Sequence, residues 1–228
     1  MPYKKVTHVI FDMDGLLLDS EKVYEVIISE IAQRYGRVYT NEVKMQLLGT
    51  PEPVTAQLAV KGMDLPITPE QFLKEYIEGT NIHLAHPDLF AGAEKLIRHL
   101  HKHNVPIAVA TSSSYDAIAV KTQHYKELFS LFHHICSGSS DPEVKRGKPN
   151  PDVYLVCASR FADKPNPEQC LVFEDAPNGV IGSVRAGMQV VMVPAESTSE
   201  ELRKPATLVL KSLTEFKPEL FGLPPFNE

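Results

Sequence analysis

The sequence predicts an α/β protein with a Rossmann-like, doubly wound parallel sheet and an all-helical domain inserted after the first strand. Short apolar runs rich in β-branched residues alternate with helix-like segments over most of the chain. These runs are nearly continuous in their apolar character, which is typical of strands buried on both faces of a parallel sheet. The alternation of strands with helices favours a sheet covered by helices on both faces.

Six strands are predicted, and most end just before a group of polar residues. They are VTHVIF (6–11), PIAVAT (106–111), HHIC (133–136), CLVFED (170–175), QVVMVP (189–194) and TLVL (207–210). The helices predicted between them cover residues 92–103, 115–128, 151–161 and 178–187. A helix between consecutive strands is the crossover that parallel pairing requires.

Residues 20–88 have a different pattern. The segments EKVYEVIISEIAQRYG, NEVKMQLLG, EPVTAQLAV and PEQFLKEYIEGTNIHLAH all predict helices. An insert after the first strand is expected over the carboxyl edge of the sheet, where open α/β sheets bind ligands. We therefore expect residues 1–19 and 89–228 to form the core, and residues 20–88 to form a helical cap that closes over the substrate.

Composition and charge narrow the possible functions. The chain of 228 residues has a net charge of −6 and no basic footprint, so nucleic acid is not an expected partner. No run approaches the roughly 18 apolar residues that span a bilayer, and we expect no membrane association. A cytoplasmic monomer is the expectation. Three cysteines are expected to be buried reduced thiols: Cys136, Cys157 and Cys170.

Two aspartates follow the first predicted strand. In VIFDMDGLLLDSE, Asp12 and Asp14 stand two residues apart, so both side chains can point toward the same region. Gly15 then lets the chain turn sharply. One carboxylate could attack phosphorus while the second delivers a proton to the leaving oxygen. The alternative is a solvated acidic loop that caps a helix.

Two further segments, PIAVATSSS and GKPNP, offer hydroxyl groups and a lysine that could bind phosphate. Thr111 ends the strand PIAVAT and Ser112 leads toward a helix, where a hydroxyl and free backbone N–H groups could hold a phosphate. The same serine-rich run could instead cap the helix. Lys148 lies in a GKPNP turn before another helix, where it could orient a nucleophile and neutralise phosphate charge. The alternative for Lys148 is an ordinary solvated lysine.

Two acids end the predicted strand CLVFED. Glu174 and Asp175 would face Asp12 and Asp14 at the same edge of the sheet and create a dense acidic cluster. Such a cluster is tolerable only with a hard cation, and oxygen ligands beside a phosphate favour Mg²⁺. Capping of the next helix would explain one of the two acids but not both.

The four motifs together resemble those of the haloacid dehalogenase-type phosphatases. FDMDG, ATSS, GKPNP and FEDAPNG stand in the order of that family, and the similarity extends over the helical insert. Within the family, THVIFDMDGLLLDSE, CLVFEDAPNGV, AGMQVVMVP and ELFGLP resemble the animal pseudouridine-5'-phosphatase group. The resemblance implies that Asp12 is the nucleophile and a Mg²⁺ ligand. It also implies that Asp14 is the general acid/base and contacts the metal through its backbone carbonyl.

The resemblance implies roles for the other motifs as well. Thr111 and the Ser112 amide would bind phosphate, and Lys148 would orient the nucleophile. Asp175 would complete the metal site, with Glu174 beside it, directly or through water. The acid at position 14 argues against a dehalogenase, because a departing halide needs no proton whereas a departing alkoxide does.

The predicted activity is a Mg²⁺-dependent phosphomonoesterase that acts through an aspartyl-phosphate on a small phosphorylated metabolite. The group resemblance points to pseudouridine 5'-phosphate, and glycerol, sugar and isoprenyl phosphates remain open. Glu21, Gly49 and Thr50 are the predicted contacts on the cap or hinge side. A phosphomutase, a phosphoryl-receiver domain and a non-catalytic scaffold are the competing interpretations. The helical insert argues against the receiver, and the complete motifs argue against the scaffold.

Overall fold

The computed structural model describes residues 3–47, 52–84 and 87–226, with the side chains of residues 21, 45, 52–54 and 81 also outside the description. The chain divides into two compact units. One comprises Met1–Asp19 with Asp88–Glu228, and the other is Ser20–Pro87. In the first unit, the Asp19 backbone N–H donates to the Asp88 carbonyl at 2.8 Å, so the chain leaves and re-enters this unit at adjacent points.

The larger unit is built on a six-stranded sheet in the order β3-β2-β1-β4-β5-β6. All five described pairings are parallel. The strands are β1 (His8–Phe11), β2 (Ile107–Thr111), β3 (His134–Ser137), β4 (Cys170–Glu174), β5 (Gln189–Met192) and β6 (Leu208–Val209). This order is that of a doubly wound Rossmann-like sheet, and it confirms the predicted fold class. The strand order reverses between β1 and β4, where such sheets bind ligands outside the carboxyl ends of the strands.

The smaller unit contains helices α1 (Ser20–Arg34), α2 (Asn41–Leu47), α3 (Glu52–Gly62) and α4 (Pro69–His83). A capping box starts α4, because the Thr68 hydroxyl accepts from the Gln71 backbone and the Gln71 side chain accepts from the Thr68 backbone. Ile27, Ile31 and Phe72 belong to a hydrophobic core within this unit. No strand occurs in the described part of this unit.

The larger unit adds helices α5 (Ala93–Lys102), α6 (Tyr115–Lys121), α7 (Lys126–Phe129), α8 (Asp152–Ser159), α9 (Pro177–Arg185) and α10 (Glu200–Arg203). Helices cover both faces of the sheet, and β1 shows why. Val9 and Phe11 belong to one hydrophobic cluster, Ile10 belongs to another, and all three are fully buried. The three cysteines are free and buried, as predicted. None of the described helices combines the length and the apolar character needed to cross a membrane.

The predicted helix over residues 115–128 is wrong in one respect, because the structure divides it into α6 and α7. Thr122 ends α6 with a φ of −99°, and its hydroxyl donates to the Ile118 carbonyl at 2.8 Å. A threonine hydroxyl bonded to the preceding turn competes with the backbone ladder and weakens the helix there. Lys121 is therefore the last residue of α6.

Candidate active site

The candidate site lies at the carboxyl ends of β1 and β4. Asp12 follows β1, and its backbone N–H donates to the Phe173 carbonyl of β4 at 2.9 Å. This bond continues the parallel ladder by one residue, so the Asp12 side chain stands at the edge of the sheet. Asp12 is nevertheless only 5% exposed. A buried carboxylate requires compensating partners.

Lys148 supplies that compensation from the GKPNP segment that precedes α8. Its Nζ lies 2.5 Å from Asp12 Oδ1 and 2.6 Å from Glu174 Oε1, and it donates to the Ala110 carbonyl at 3.1 Å. Burial alone would lower the pKa of Lys148, but the Asp12 and Glu174 carboxylates hold this pKa well above its usual value. Lys148 is therefore a fixed cation shared by two acids.

The surroundings of Asp12 disfavour the ionised form of its carboxyl group. Burial raises the pKa of Asp12 from 3.8 to about 8, and the charges of Glu174 and Asp14 add to the rise, while Lys148 opposes it. An additional cation at this carboxylate would favour its ionised form, which is the form that can act as a nucleophile.

Glu174 is held by contacts with Lys148 and Tyr154. It is 1% exposed, and its Oε1 accepts from the Tyr154 hydroxyl at 2.5 Å as well as from Lys148. Gly179 in α9 makes room for this carboxylate, because a Cβ at that position would lie 1.9 Å from Glu174 Cδ. The glycine of FEDAPNG is thus required by the close approach of the Glu174 carboxylate.

Asp175 completes a group of three acids. Asp12, Glu174 and Asp175 each offer a carboxylate oxygen, and these oxygens lie within 4.8 Å of one another. The loops are tightly apposed, since a Cβ on Gly15 (φ +82°) would lie 2.2 Å from Asp175 Oδ2. Opposite oxygen ligands of Mg²⁺ lie about 4.2 Å apart, and hard oxygen donors suit that ion. The three side chains could therefore hold a hard divalent cation.

Asp14 lies in a separate set of contacts beside this group. Its Oδ2 accepts from the Ser113 hydroxyl at 2.7 Å and, more weakly, from the Thr111 hydroxyl at 3.4 Å. Its Oδ1 accepts from Lys121 Nζ at 2.6 Å. The Asp14 side chain is 28% exposed, whereas that of Lys121 is only 4% exposed. Asp14 is thus held at both oxygens while one side remains open to solvent.

The serine-rich run after β2 divides its roles among successive residues. Ser112 is exposed, Ser113 bonds to Asp14, and Ser114 caps α6 by accepting from the Ala117 backbone at 3.2 Å. The helix-capping alternative is therefore correct for Ser114. The Ser113 backbone N–H donates to the Thr111 hydroxyl at 3.1 Å, which fixes the turn that carries all three serines.

Sequence reasoning placed Asp12, Asp14, Thr111, Lys148, Glu174 and Asp175 at one sheet edge, and the structure brings these side chains together. It missed three contributors: Ser113, Lys121 and Tyr154. For Lys121, the signal in the sequence is a lysine three residues after Ile118, on the buried face of a short helix. A lysine on an apolar face demands a buried acidic partner.

The predicted contacts on the cap side lie outside this description. Glu21 is in α1, but its side chain is among those not described, and Gly49 and Thr50 lie outside the described residues. These three remain predictions.

Comparison with known proteins identifies the family. The sequence model of the haloacid dehalogenase-like hydrolases matches residues 9–193. A probable pseudouridine-5'-phosphatase of Drosophila melanogaster is 49% identical over 99% of this chain and 97% of that protein. The (DL)-glycerol-3-phosphatase 2 of Arabidopsis thaliana is 42% identical over 98% of this chain and 94% of that protein.

A solved structure agrees with these sequence matches. A HAD family hydrolase from Deinococcus radiodurans, with bound phosphate and sodium, superimposes with a TM-score of 0.82 at 25% identity. The match covers 97% of this chain and 99% of that one. The fold, the family match over most of the chain and the near full-length relatives agree with the resemblance of the four motifs. This chain belongs to the haloacid dehalogenase-like hydrolase family.

Proposed function

We propose that this protein is a Mg²⁺-dependent phosphomonoesterase in which Asp12 attacks phosphorus and Asp14 protonates the leaving oxygen. One observation carries the proposal: a single buried ammonium, Lys148 Nζ, lies within 2.6 Å of carboxylate oxygens of both Asp12 and Glu174. A lysine in that position orients the nucleophile and opposes the charge of a bound phosphate. The relatives named as phosphatases support the same class of reaction.

The reaction takes two displacements at phosphorus. Asp12 forms a bond to phosphorus as the ester P–O bond breaks, and Asp14 gives its proton to the departing alcohol oxygen. Water then attacks the phosphorus of the aspartyl-phosphate while Asp14 takes a proton from it, which frees Asp12 and releases phosphate. The contacts of Asp14 with Ser113 and Lys121 hold its carboxylate in one place through both steps.

The phosphate group requires donors that are already in position. We assign this role to the Thr111 hydroxyl, the Ser112 amide and Lys148. Thr111 ends β2, Ser112 follows it, and Lys148 lies in the segment between β3 and α8. Enzymes can lower the barrier to phosphate-monoester hydrolysis by more than ~20 kcal/mol. No single group supplies that amount, so positioning, charge neutralisation and proton transfer must act together.

The acidic group fits the proposed metal. Asp12, Glu174 and Asp175 carry three negative charges when ionised against the one positive charge of Lys148, which leaves two negative charges for a divalent ion to balance. We assign the Mg²⁺ ligands to Asp12, Asp175 and the Asp14 backbone carbonyl, with Glu174 as a further ligand directly or through water. When bound, Mg²⁺ would neutralise charge on the phosphoryl oxygens.

For the substrate, we propose pseudouridine 5'-phosphate. The support is the 49% identical Drosophila melanogaster relative, which is named a probable pseudouridine-5'-phosphatase. Glycerol phosphate is the second candidate, because the 42% identical Arabidopsis thaliana relative is named a glycerol-3-phosphatase. We further assign the helical unit Ser20–Pro87 as a cap that selects the leaving alcohol, with Glu21 and Gly49 as its proposed contacts.

A panel of phosphate esters tests this function. We expect phosphate release that depends on added Mg²⁺, with the highest kcat/KM for pseudouridine 5'-phosphate among pseudouridine, glycerol, sugar and isoprenyl phosphates. Formation of an isomeric phosphate in place of free phosphate would indicate a phosphomutase. A stable phosphoprotein without turnover would indicate a receiver domain. Either outcome contradicts the proposal.

A further inference from the structure

Lys121 is a buried cation whose only described ion pair is with Asp14. Its side chain is 4% exposed, and its Nζ lies 2.6 Å from Asp14 Oδ1 and 3.0 Å from Ser113 Oγ. It stands at the end of α6, three residues after Ile118, which is also buried. Burying an ammonium is costly unless it is paired, and an apolar residue would fill the same position without that cost. The position of Lys121 therefore points to a task at Asp14.

Lys121 and Ser113 together fix the Asp14 carboxylate. Lys121 donates to Oδ1, Ser113 donates to Oδ2 at 2.7 Å, and Lys121 also donates to the Ser113 hydroxyl. The three groups form a closed ring of hydrogen bonds, so rotation of the carboxylate breaks at least one charge-assisted bond. A group that exchanges a proton must be held within hydrogen-bond reach of the reacting oxygen, and a misplacement of about 1 Å can cost about 10²-fold in rate.

The described contacts of Lys121 separate it from the nucleophile. Lys148 bonds to Asp12 and Glu174, whereas the described hydrogen bonds of Lys121 go to Asp14 and Ser113. A residue that acts only through Asp14 affects the step in which a proton moves. It leaves attack at phosphorus largely intact when no proton has to be delivered.

We propose that Lys121 is a positioning residue that holds Asp14 for proton delivery to the leaving group. This inference rests on the proposed phosphomonoesterase function. If Lys121 acts through Asp14, its contribution to the rate should depend on how much the leaving group needs a proton. An alkoxide leaves poorly and needs the proton of Asp14, whereas p-nitrophenolate is a stable anion that leaves without one.

The Lys121→Met variant tests the proposal by the ratio of two substrates. We expect kcat/KM for an alkyl ester, pseudouridine 5'-phosphate or glycerol phosphate, to fall about 10²-fold. We expect kcat/KM for p-nitrophenyl phosphate to fall less than about 5-fold. Because both substrates are measured on one preparation, loss of folded protein lowers both values equally and leaves the ratio unchanged. Lys121→Gln gives the same ratio if the methionine variant cannot be prepared.

Two controls separate positioning from a structural role. Lys126→Met makes the same substitution at an exposed lysine of α7 and should leave kcat/KM unchanged for both substrates. Adding Lys121→Met to Asp14→Asn should lower the alkyl-ester rate no further than Asp14→Asn does alone, because residues that act as a unit are not additive. An additive double variant, or equal losses on both substrates in the single variant, would overturn the inference.

Failure of this inference is distinguishable from failure of the proposed function. If the wild-type protein hydrolyses neither ester with Mg²⁺, or if Asp12→Asn retains full turnover, the phosphomonoesterase proposal is wrong. If the wild-type protein is active and Asp12→Asn abolishes turnover, but Lys121→Met leaves the substrate ratio unchanged, only the role of Lys121 is wrong.

Discussion

Two aspartate–lysine pairs stand at the same edge of the sheet, and they differ in charge balance and in exposure. Lys148 is shared between Asp12 and Glu174, and all three side chains are at most 8% exposed. Lys121 pairs with Asp14, which keeps 28% of its side chain exposed. The first pair leaves negative charge for another cation to balance. The second pair has one lysine for one aspartate and is open on one side, which leaves the Asp14 carboxyl group accessible for proton exchange.

Under the proposed mechanism, this difference corresponds to separate tasks for the two pairs. The buried, anionic pair around Lys148 suits nucleophilic attack and metal binding, since further positive charge is needed there. The balanced pair around Lys121 suits proton transfer, since it holds one carboxyl group without burying it. Substitutions in the first pair should therefore affect all phosphate esters, and substitutions in the second should affect those with poor leaving groups.

The largest effect is expected for Asp12→Asn. Removal of the proposed nucleophile should lower kcat at least ~10⁴-fold on every ester, because the other groups cannot replace it. The Tm of the metal-free variant should equal or exceed that of the wild-type protein. Burial opposes the charge of Asp12 and raises its pKa to about 8, so a neutral asparagine is tolerated at this position. Phosphate-release assays and thermal unfolding check both points, with Asp116→Asn at an exposed position as control. Undiminished turnover, in protein verified free of deamidation, would refute the assignment.

Lys148→Met is expected to have the next largest effect. Loss of this donor should lower kcat about 10²–10³-fold, and equally for alkyl and p-nitrophenyl esters, in contrast to Lys121→Met. Mg²⁺ should bind at least as tightly as before, because the remaining carboxylates are less compensated. Steady-state kinetics and calorimetric Mg²⁺ titration measure the two effects, with the exposed Lys145→Met as control. A loss confined to alkyl esters would remove the distinction between the two lysines.

Gly179→Ala should disturb the Glu174 side of the first pair. The added Cβ would meet Glu174 Cδ at 1.9 Å, so the carboxylate must move away from Lys148. We expect Mg²⁺ affinity or kcat/KM to fall about 10–100-fold, as for other changes beside metal ligands. Gly147→Ala is the matched control, because a Cβ there meets nothing within 4 Å. Unchanged Mg²⁺ binding and activity in Gly179→Ala would show that Glu174 does not contribute.

The smallest effect is expected for Ser113→Ala, which removes one of the two shortest described hydrogen bonds to Asp14. We expect an approximately 5-fold lower kcat/KM for alkyl esters and little change for p-nitrophenyl phosphate. Ser114→Ala should behave oppositely, because this serine caps α6. It should lower the free energy of unfolding by about 1 kcal/mol while kcat/KM stays unchanged. Denaturant unfolding and kinetics on both variants decide whether neighbouring serines divide their roles in this way.

The pair of Asp12 and Lys148 could be predicted from the sequence, because the end of a strand determines where Asp12 lies. Asp12 and Glu174 each end a strongly apolar run, and parallel neighbours bring such ends together. Lys148 stands in the GKPNP segment, which the sequence predicts to be a turn before a helix. The parallel direction of the strands follows from the same apolar pattern, whereas the strand order β3-β2-β1-β4-β5-β6 comes from the structure.

The second pair could not be predicted in the same way. Lys121 lies at the end of a helix, and its direction depends on the point at which Thr122 stops that helix. The periodic pattern over residues 115–128 predicted a single helix, which gives no such end point. Which of three successive serines faces Asp14 is likewise set by the Ser113–Thr111 turn and not by residue type. Local hydrogen bonds, which residue types alone do not reveal, decided both cases.

Chemical trapping of the phosphorylated residue tests the central claim most directly. Protein mixed with Mg²⁺ and p-nitrophenyl phosphate is quenched and reduced with borohydride, which converts an aspartyl-phosphate into homoserine. Peptide mapping by mass spectrometry should then find homoserine at position 12, and Asp12→Asn should yield none. Homoserine at another aspartate, or its complete absence while the protein turns over ester, would contradict the assignment of Asp12 as nucleophile.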